Sequence, residues 1–284
     1  MKEVSYYPGC ALHGTAREYD ESVRGVAHLL DVELRELEDW TCCGASSAHY
    51  RDEGLSVALA ARNLAIAEKS DRELLVPCVA CYNRLKTAER EGKDHPGKLS
   101  TPYRGKVAIR YALDFFCAEP LLQAAEKKLT KPLSGLKVVC YYGCLAVRPP
   151  KLTEISAYEN PEHMDRLMER LGAETIPWSY KTDCCGASLV MTRPDIVKKL
   201  SGRLLQMAQE AEADCIVTGC PLCQPNLDTR QEEMEKETGN RYRLPIFYFT
   251  ELMGLALGHG DVRKWLGRHI TDPLQVLRAK GFIG

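Results

Sequence analysis

No apolar run in this 284-residue sequence is long enough to cross a bilayer. The longest, Leu252 to Leu257, falls far short of the ~20 residues a membrane helix needs. The first residues, Met1-Lys2-Glu3-Val4-Ser5-Tyr6, lack the apolar core of an export signal. Net charge is −1 with acids and bases interspersed, so neither a basic stripe for nucleic acid nor a like-charged disordered tail is present. No G-x-G-x-x-G follows a strand pattern, which excludes a flavin or nucleotide fingerprint of the chain's own. These absences leave a soluble, cytoplasmic protein whose contact with a membrane would run through a partner.

Cysteine is what the chain has in excess. It carries 13. An odd number, no export signal and a length that needs no staples argue against disulfides. Paired C-x-x-C spacings in a reducing compartment point to metal instead. The cysteines are also written in a pattern. Tyr7-Pro8-Gly9-Cys10, Cys42-Cys43-Gly44-Ala45-Ser46 and Cys78-Val79-Ala80-Cys81 are followed by Tyr142-Gly143-Cys144, Cys184-Cys185-Gly186-Ala187-Ser188 and Cys220-Pro221-Leu222-Cys223. The single cysteine repeats after 134 positions and the other two elements after 142, a duplication with one gap of eight residues. It divides the chain into residues 1–133 and 134–284, each long enough to bury a core.

The hydrophobic pattern alternates short strands and helices in both halves. Strands are expected at Val4–Tyr7, Val32–Leu37, Leu74–Val76, Leu136–Tyr142, Thr175–Trp178, Cys215–Val217 and Leu244–Phe249. Helices are expected near Ala16–Leu30, Glu53–Lys69, Val107–Glu119, Leu121–Thr130, Glu162–Leu171 and Pro194–Ala211. Glu89 to Arg104, polar with Gly and Pro, reads as a surface loop. This alternation predicts open parallel α/β sheets, one per half. Each cysteine site lies just after a strand. Ligands of such sheets bind beyond the carboxyl ends of the strands, so the three sites of a half are expected to converge there.

Five thiolates per half exceed the four a structural zinc takes, and also the four of an ordinary cubane. Adjacent cysteines suit two irons of a cluster better than one ion. The glycines Gly9, Gly44, Gly143, Gly186 and Gly219 let the backbone come close to bridging sulfides. Zinc in one or both sets stays open as a lesser alternative.

The doubled pattern resembles the CCG-domain proteins, and most closely the B subunit of heterodisulfide reductase. Tyr7-Pro8-Gly9-Cys10, Cys42 to His49, Pro77 to Asn83, Cys220 to Gln224 and Leu244 to Leu252 carry the likeness, which runs along nearly the whole chain. The resemblance implies two tandem Rossmann-like domains about a pseudo-two-fold axis. Each would hold a noncubane [4Fe–4S] cluster, on Cys10, Cys42, Cys43, Cys78 and Cys81 in the first and on Cys144, Cys184, Cys185, Cys220 and Cys223 in the second. It implies reduction of a small-molecule disulfide, such as the coenzyme M–coenzyme B heterodisulfide, between the two clusters. Electrons would come from a ferredoxin-like C subunit fed by a flavin-containing A subunit. An electron-transfer subunit of the same architecture, without disulfide chemistry of its own, is the alternative. Beside the first-half ligands, His13 and His49 are candidate proton donors. Arg17, Arg148 and Arg193 are candidates for an anionic substrate tail. Cys117, Cys140 and Cys215 sit in apolar contexts and read as core, with Cys140 the strongest exception because it lies four residues before Cys144.

Overall fold

The computed structural model describes residues 1–95, 101 and 103–284. The first half runs β1 (Lys2–Tyr6), α1 (Gly9–His13), α2 (Arg17–Leu29), β2 (Val32–Glu36), α3 (Ser47–Arg51), α4 (Glu53–Ala67), β3 (Leu74–Val76), α5 (Val79–Asp94), β4 (Ile109–Tyr111), α6 (Ala112–Phe116) and α7 (Glu119–Lys127). The second runs β5 (Lys137–Tyr141), α8 (Pro150–Thr153), α9 (His163–Arg170), β6 (Glu174–Thr175), α10 (Pro194–Glu210), β7 (Cys215–Thr218), α11 (Cys223–Asp228), α12 (Gln231–Thr238), β8 (Ile246–Tyr248), α13 (Phe249–Ala256), α14 (Val262–Leu266) and α15 (Leu274–Ala279).

Each half forms one four-stranded sheet, with every pair parallel and the same order: β2-β1-β3-β4 and β6-β5-β7-β8. The strand order reverses between β1 and β3, and again between β5 and β7. That reversal opens a crevice beyond the strand ends. The central strands are buried on both faces, as a parallel sheet between helices requires: Leu74, Leu75 and Val76 are fully enclosed, as are Cys215, Ile216 and Val217. The parallel α/β sheets expected from the alternation are present.

Three expectations differ in detail. The helix expected from Val107 begins with β4, which pairs Leu74↔Ile109 and Val76↔Tyr111; three residues are too few to show a period. The loop expected from Glu89 is helical to Asp94, where α5 keeps Ala88 and Glu89 buried; residues 96–100 and 102 of that stretch lie outside the described residues. The strand expected at Thr175–Trp178 is only Glu174–Thr175.

The halves exchange contacts reciprocally. Helix α13, which follows the last strand of the second half, packs on α2 of the first, where the Ser22 and Thr250 hydroxyls meet at 2.6 Å. Helix α6, which follows the last strand of the first half, meets α9 of the second: Asp114 Oδ1 lies 3.3 Å from His163 Nε2, and the Cys117 thiol donates to the His163 carbonyl. That exchange is the pseudo-two-fold relation expected of a duplicated chain.

Candidate metal centre

The cysteines stand where the fold puts ligands. Cys10 and Cys144 follow β1 and β5, and Cys78 and Cys220 follow β3 and β7, so both switch-point crevices are flanked by thiols. The adjacent cysteines arrive from the loops after β2 and β6. In the first half the Cys42 and Cys81 thiols act electrostatically on Cys43, Cys78 on Cys81, and Cys42 on Cys10. In the second, Cys184 acts electrostatically on Cys144 and Cys220 on Cys223, and the Cys185 thiol donates to the Cys223 sulfur at 3.5 Å. All five expected cysteines of each half therefore come together.

Local geometry explains how. Gly9 and Gly143 have φ of +73° and +70°, and a Cβ there would lie 2.7 Å from the Cys81 sulfur and 3.2 Å from that of Cys223. Only glycine brings the first cysteine loop so near the C-x-x-C pair. Gly44 and Gly186 are also left-handed, and each turns its N–H onto a sulfur: Gly44 to Cys42 at 3.4 Å and Gly186 to Cys184 at 3.2 Å. Tyr7 donates to the Thr41 carbonyl and Tyr141 to that of Asp183, both at 2.7 Å. Each tyrosine thus pins the residue before an adjacent-cysteine pair, identically in the two copies. Asn63 closes the first loop, accepting from the Thr41 N–H and donating to its carbonyl. Asn226 and Ser201 hold the Cys185 carbonyl. These supporting residues were not singled out from the sequence, although Tyr7 and Tyr141 occupy matching positions of the repeat.

The electrostatics favour thiolate on Cys43, Cys184 and Cys185. Hydrogen bonds from Cys42, Cys81 and the Ala45 N–H hold the Cys43 thiol below its ordinary range. Cys184 is lowered by Cys144 and the Gly186 N–H, and Cys185 by Cys223 and the Ala187 N–H. Their neighbours Cys42, Cys81, Cys144 and Cys223 are pushed up correspondingly, with burial adding to the effect. Among the described residues no three His, Cys, Asp or Glu side chains are arranged about a single-ion position. The donor set is instead all sulfur, five per half, with backbone N–H groups on the sulfurs. A set of soft thiolates with backbone N–H donors on its sulfurs suits an iron–sulfur cofactor.

The remaining candidates have partners outside the sulfur sets. His13 Nε2 is 3.2 Å from Glu36, with its ring against Trp40. His49 Nδ1 accepts from Arg84 at 3.0 Å, because a guanidinium can only donate; a neutral His49 therefore carries its proton on Nε2. The contacts of both histidines are thus with these neighbours and not with the sulfurs. Arg193 is taken up by Asp195, and Arg17 donates to the His13 carbonyl. Arg148 donates to the Thr182 carbonyl, just before the second adjacent pair, while its own carbonyl accepts from Asn83 of the first half. Cys140 is not in the sulfur set. It is fully buried in β5 beside Asp165, Lys181 and Cys215, and burial drives its thiol well up, as it does those of Cys117 and Cys215.

Two tandem parallel sheets, each opening on a crevice flanked by cysteines, define a duplicated cysteine-rich α/β protein. The CCG cysteine-rich domain matches residues 4–86 and 138–228. The chain belongs to that family. It is 34% identical to the 8-methylmenaquinol:fumarate reductase membrane anchor subunit of Wolinella succinogenes, over 96% of this chain and 98% of that one. It is 28% identical to the B subunit of the ferredoxin:CoB-CoM heterodisulfide reductase of Methanosarcina mazei, over 98% and 96%, and 28% identical to a ferredoxin/F(420)H(2)-dependent counterpart from Methanosarcina acetivorans, over 91% and 90%. It is thus homologous to heterodisulfide reductase B subunits along most of its length. The crystal structure of a hypothetical protein from Helicobacter pylori shares the fold, with a TM-score of 0.73 and 13% identity, over 95% of this chain and 52% of that one. No helix among the described residues is long and apolar enough to cross a membrane.

Proposed function

We propose that this chain is the catalytic iron–sulfur subunit of a multisubunit, heterodisulfide reductase-type complex and reduces a small-molecule disulfide to two thiols. The observation that carries the reading is the same five-thiol arrangement occurring twice, at the switch points of two sheets, with the Tyr19 hydroxyl between the carbonyls that precede the two C-x-x-C segments. Cys10, Cys42, Cys43, Cys78 and Cys81 hold one noncubane [4Fe–4S] cluster, and Cys144, Cys184, Cys185, Cys220 and Cys223 hold the other, within domains divided at residues 133 and 134. When bound, the clusters supply one-electron chemistry and thiophilic iron to the two ends of a disulfide. The balance is R–S–S–R′ plus two electrons and two protons giving RSH and R′SH. His13 and His49, beside the first-half ligands, are the proton sources in their protonated forms. Arg84 and Arg148, which meet no carboxylate among the described residues, receive an anionic substrate tail. Electrons enter singly from a ferredoxin-like partner that is supplied by a flavin-containing one, in the cytoplasm.

A second reading has support in the Wolinella succinogenes relative, whose name is that of a fumarate reductase subunit. In this reading the same sites of this chain pass electrons onward and reduce no disulfide. Anaerobic purification decides the cofactor: roughly eight irons and eight sulfides per chain are expected, one four-iron cluster for each five-thiolate set. Zinc in their place overturns both readings. With iron present, candidate disulfides and a reduced viologen separate the two. Thiol release and a thiol-sensitive spectrum support the first reading; oxidation and reduction of the clusters with neither response support the second.

A further inference from the structure

Three buried phenols lie between the two cysteine crevices, and the proposed chemistry uses none of them: Tyr19 on α2, Tyr111 at the end of β4 and Tyr248 at the end of β8. Tyr19 and Tyr248 stack at 4.2 Å with their planes 5° apart. The carbonyl of Gly219, one residue before Cys220, accepts two hydroxyls from the other half, that of Tyr111 at 2.8 Å and that of Tyr19 at 3.1 Å. The Tyr19 hydroxyl also faces the Pro77 carbonyl at 3.5 Å, one residue before Cys78. Pro77 and Gly219 occupy the same place in the two copies of the repeat. Tyr111 further rests against Tyr82, the residue after Cys81, at 5.7 Å. A Cβ on Gly219 would sit 2.5 Å from the Tyr111 hydroxyl, so the backbone there is as close to the first half as a glycine permits.

We propose that Tyr19 and Tyr111 are positioning residues: their hydroxyls hold the Cys220–Cys223 segment of the second half against the first and so set the spacing between the two cysteine sites. The mechanical part of this stands on the hydrogen bonds alone. Its electronic consequence, that the two centres interact at a defined distance, rests on the reading that both sites carry clusters. Phenol is suited to the task because it spans a dry interface with a rigid ring and ends in one directed donor.

The test uses the full chain with Tyr111→Phe and the double variant Tyr19→Phe/Tyr111→Phe. Tyr6→Phe, whose hydroxyl bonds Asp20 away from the seam, is the control. In metal-free protein, backbone amide exchange over residues 219–224 is expected to quicken about tenfold in the double variant, while residues 184–189 and the control stay as in the unaltered chain. Unchanged exchange at 219–224 overturns the clamp. In the loaded protein, iron content is expected to hold while the magnetic interaction between the two reduced centres, read by electron paramagnetic resonance, changes. An unchanged interaction at full iron overturns the link to spacing. Should the unaltered chain bind no iron, the cluster reading falls and the exchange measurement still decides the clamp. Tyr111→Phe removes a single hydrogen bond and carries both readouts if the double variant does not fold.

Discussion

At the scale of single residues, the two kinds of cysteine in this chain make opposite predictions. Cys43 and Cys185 lie inside the sulfur sets and are held toward thiolate by two or more donors. Ser at either is expected to lower iron from roughly eight to roughly four per chain, since serine keeps the shape and loses the soft ligand. Ala at Cys140 or Cys215 is expected to leave iron unchanged and to cost only about 1 kcal/mol of stability, as for a small buried group. Iron analysis on the four variants checks both. The glycines give a sharper case. Gly219→Ala places a methyl against the Tyr111 hydroxyl, and is expected to impair loading of the second site. Adding Tyr111→Phe removes the colliding oxygen and is expected to restore loading in part; the next neighbours of that methyl, on Phe249, are 3.4 Å away. No rescue would mean that the close approach is not what demands glycine there. The ten cysteines and their glycines were legible in the sequence because a ligand set needs fixed residue types at fixed spacings. Tyr19, Tyr111 and Asn63 were not, because a hydrogen bond to a backbone carbonyl leaves no mark on the identity of the residue that accepts it.

Among the elements, the C-terminal tail contributes a buried ion pair with a defined pH signature. His269 Nε2 lies 2.9 Å from Glu251 Oε1, both side chains fully enclosed. Glu251 also accepts the Tyr248 N–H at the start of α13. Burial pulls the imidazole pKa down, but Glu251 above all, with Asp228 and Glu18, outweighs it and raises the value to about 9. A folded pKa above the unfolded value of about 6.5 means the pair stabilises fully below that pH, and the stabilisation is lost as pH rises through about 9. The amount at stake is up to ~3 kcal/mol. Urea unfolding between pH 6 and 10 is expected to show this alkaline loss in the unaltered chain and to show less of it in His269→Gln. Equal slopes would remove the pair from the stability of the tail. This contact joins residues 18 positions apart through tertiary folding, so periodicity could place the helices and not the pair. The missed β4 has a similar cause: Ile109 and Tyr111 become a strand only by pairing with Leu74 and Val76.

For the whole molecule, the two halves are repeated in sequence yet joined in packing. Tyr19, Val23, Val26 and Ala27 of α2 are fully buried, and the helix rests on α13 and α14 of the second half. The contact is close: a Cβ on Gly25 would meet the Trp265 ring at 2.9 Å. Residues 1–133 expressed alone are therefore expected to expose this face and to lack a cooperative thermal transition, whereas the full chain unfolds in one. Calorimetry of the fragment checks this, and a sharp transition would make the first half an independent folding unit.

The sequence by itself determined the duplication, the alternation of strand and helix and the ten thiols, because these are properties of spacing and residue type that survive without coordinates. It also carried the likeness to heterodisulfide reductase B subunits, since a five-cysteine pattern written twice is specific. Only the tertiary structure decided which face of each half meets the other. It alone put Gly219 under the hydroxyls of Tyr19 and Tyr111, and it separated Cys140 from the sulfurs four residues away. Those outcomes depend on distances between segments remote in the chain, and close packing sets such distances, not the local order of residues.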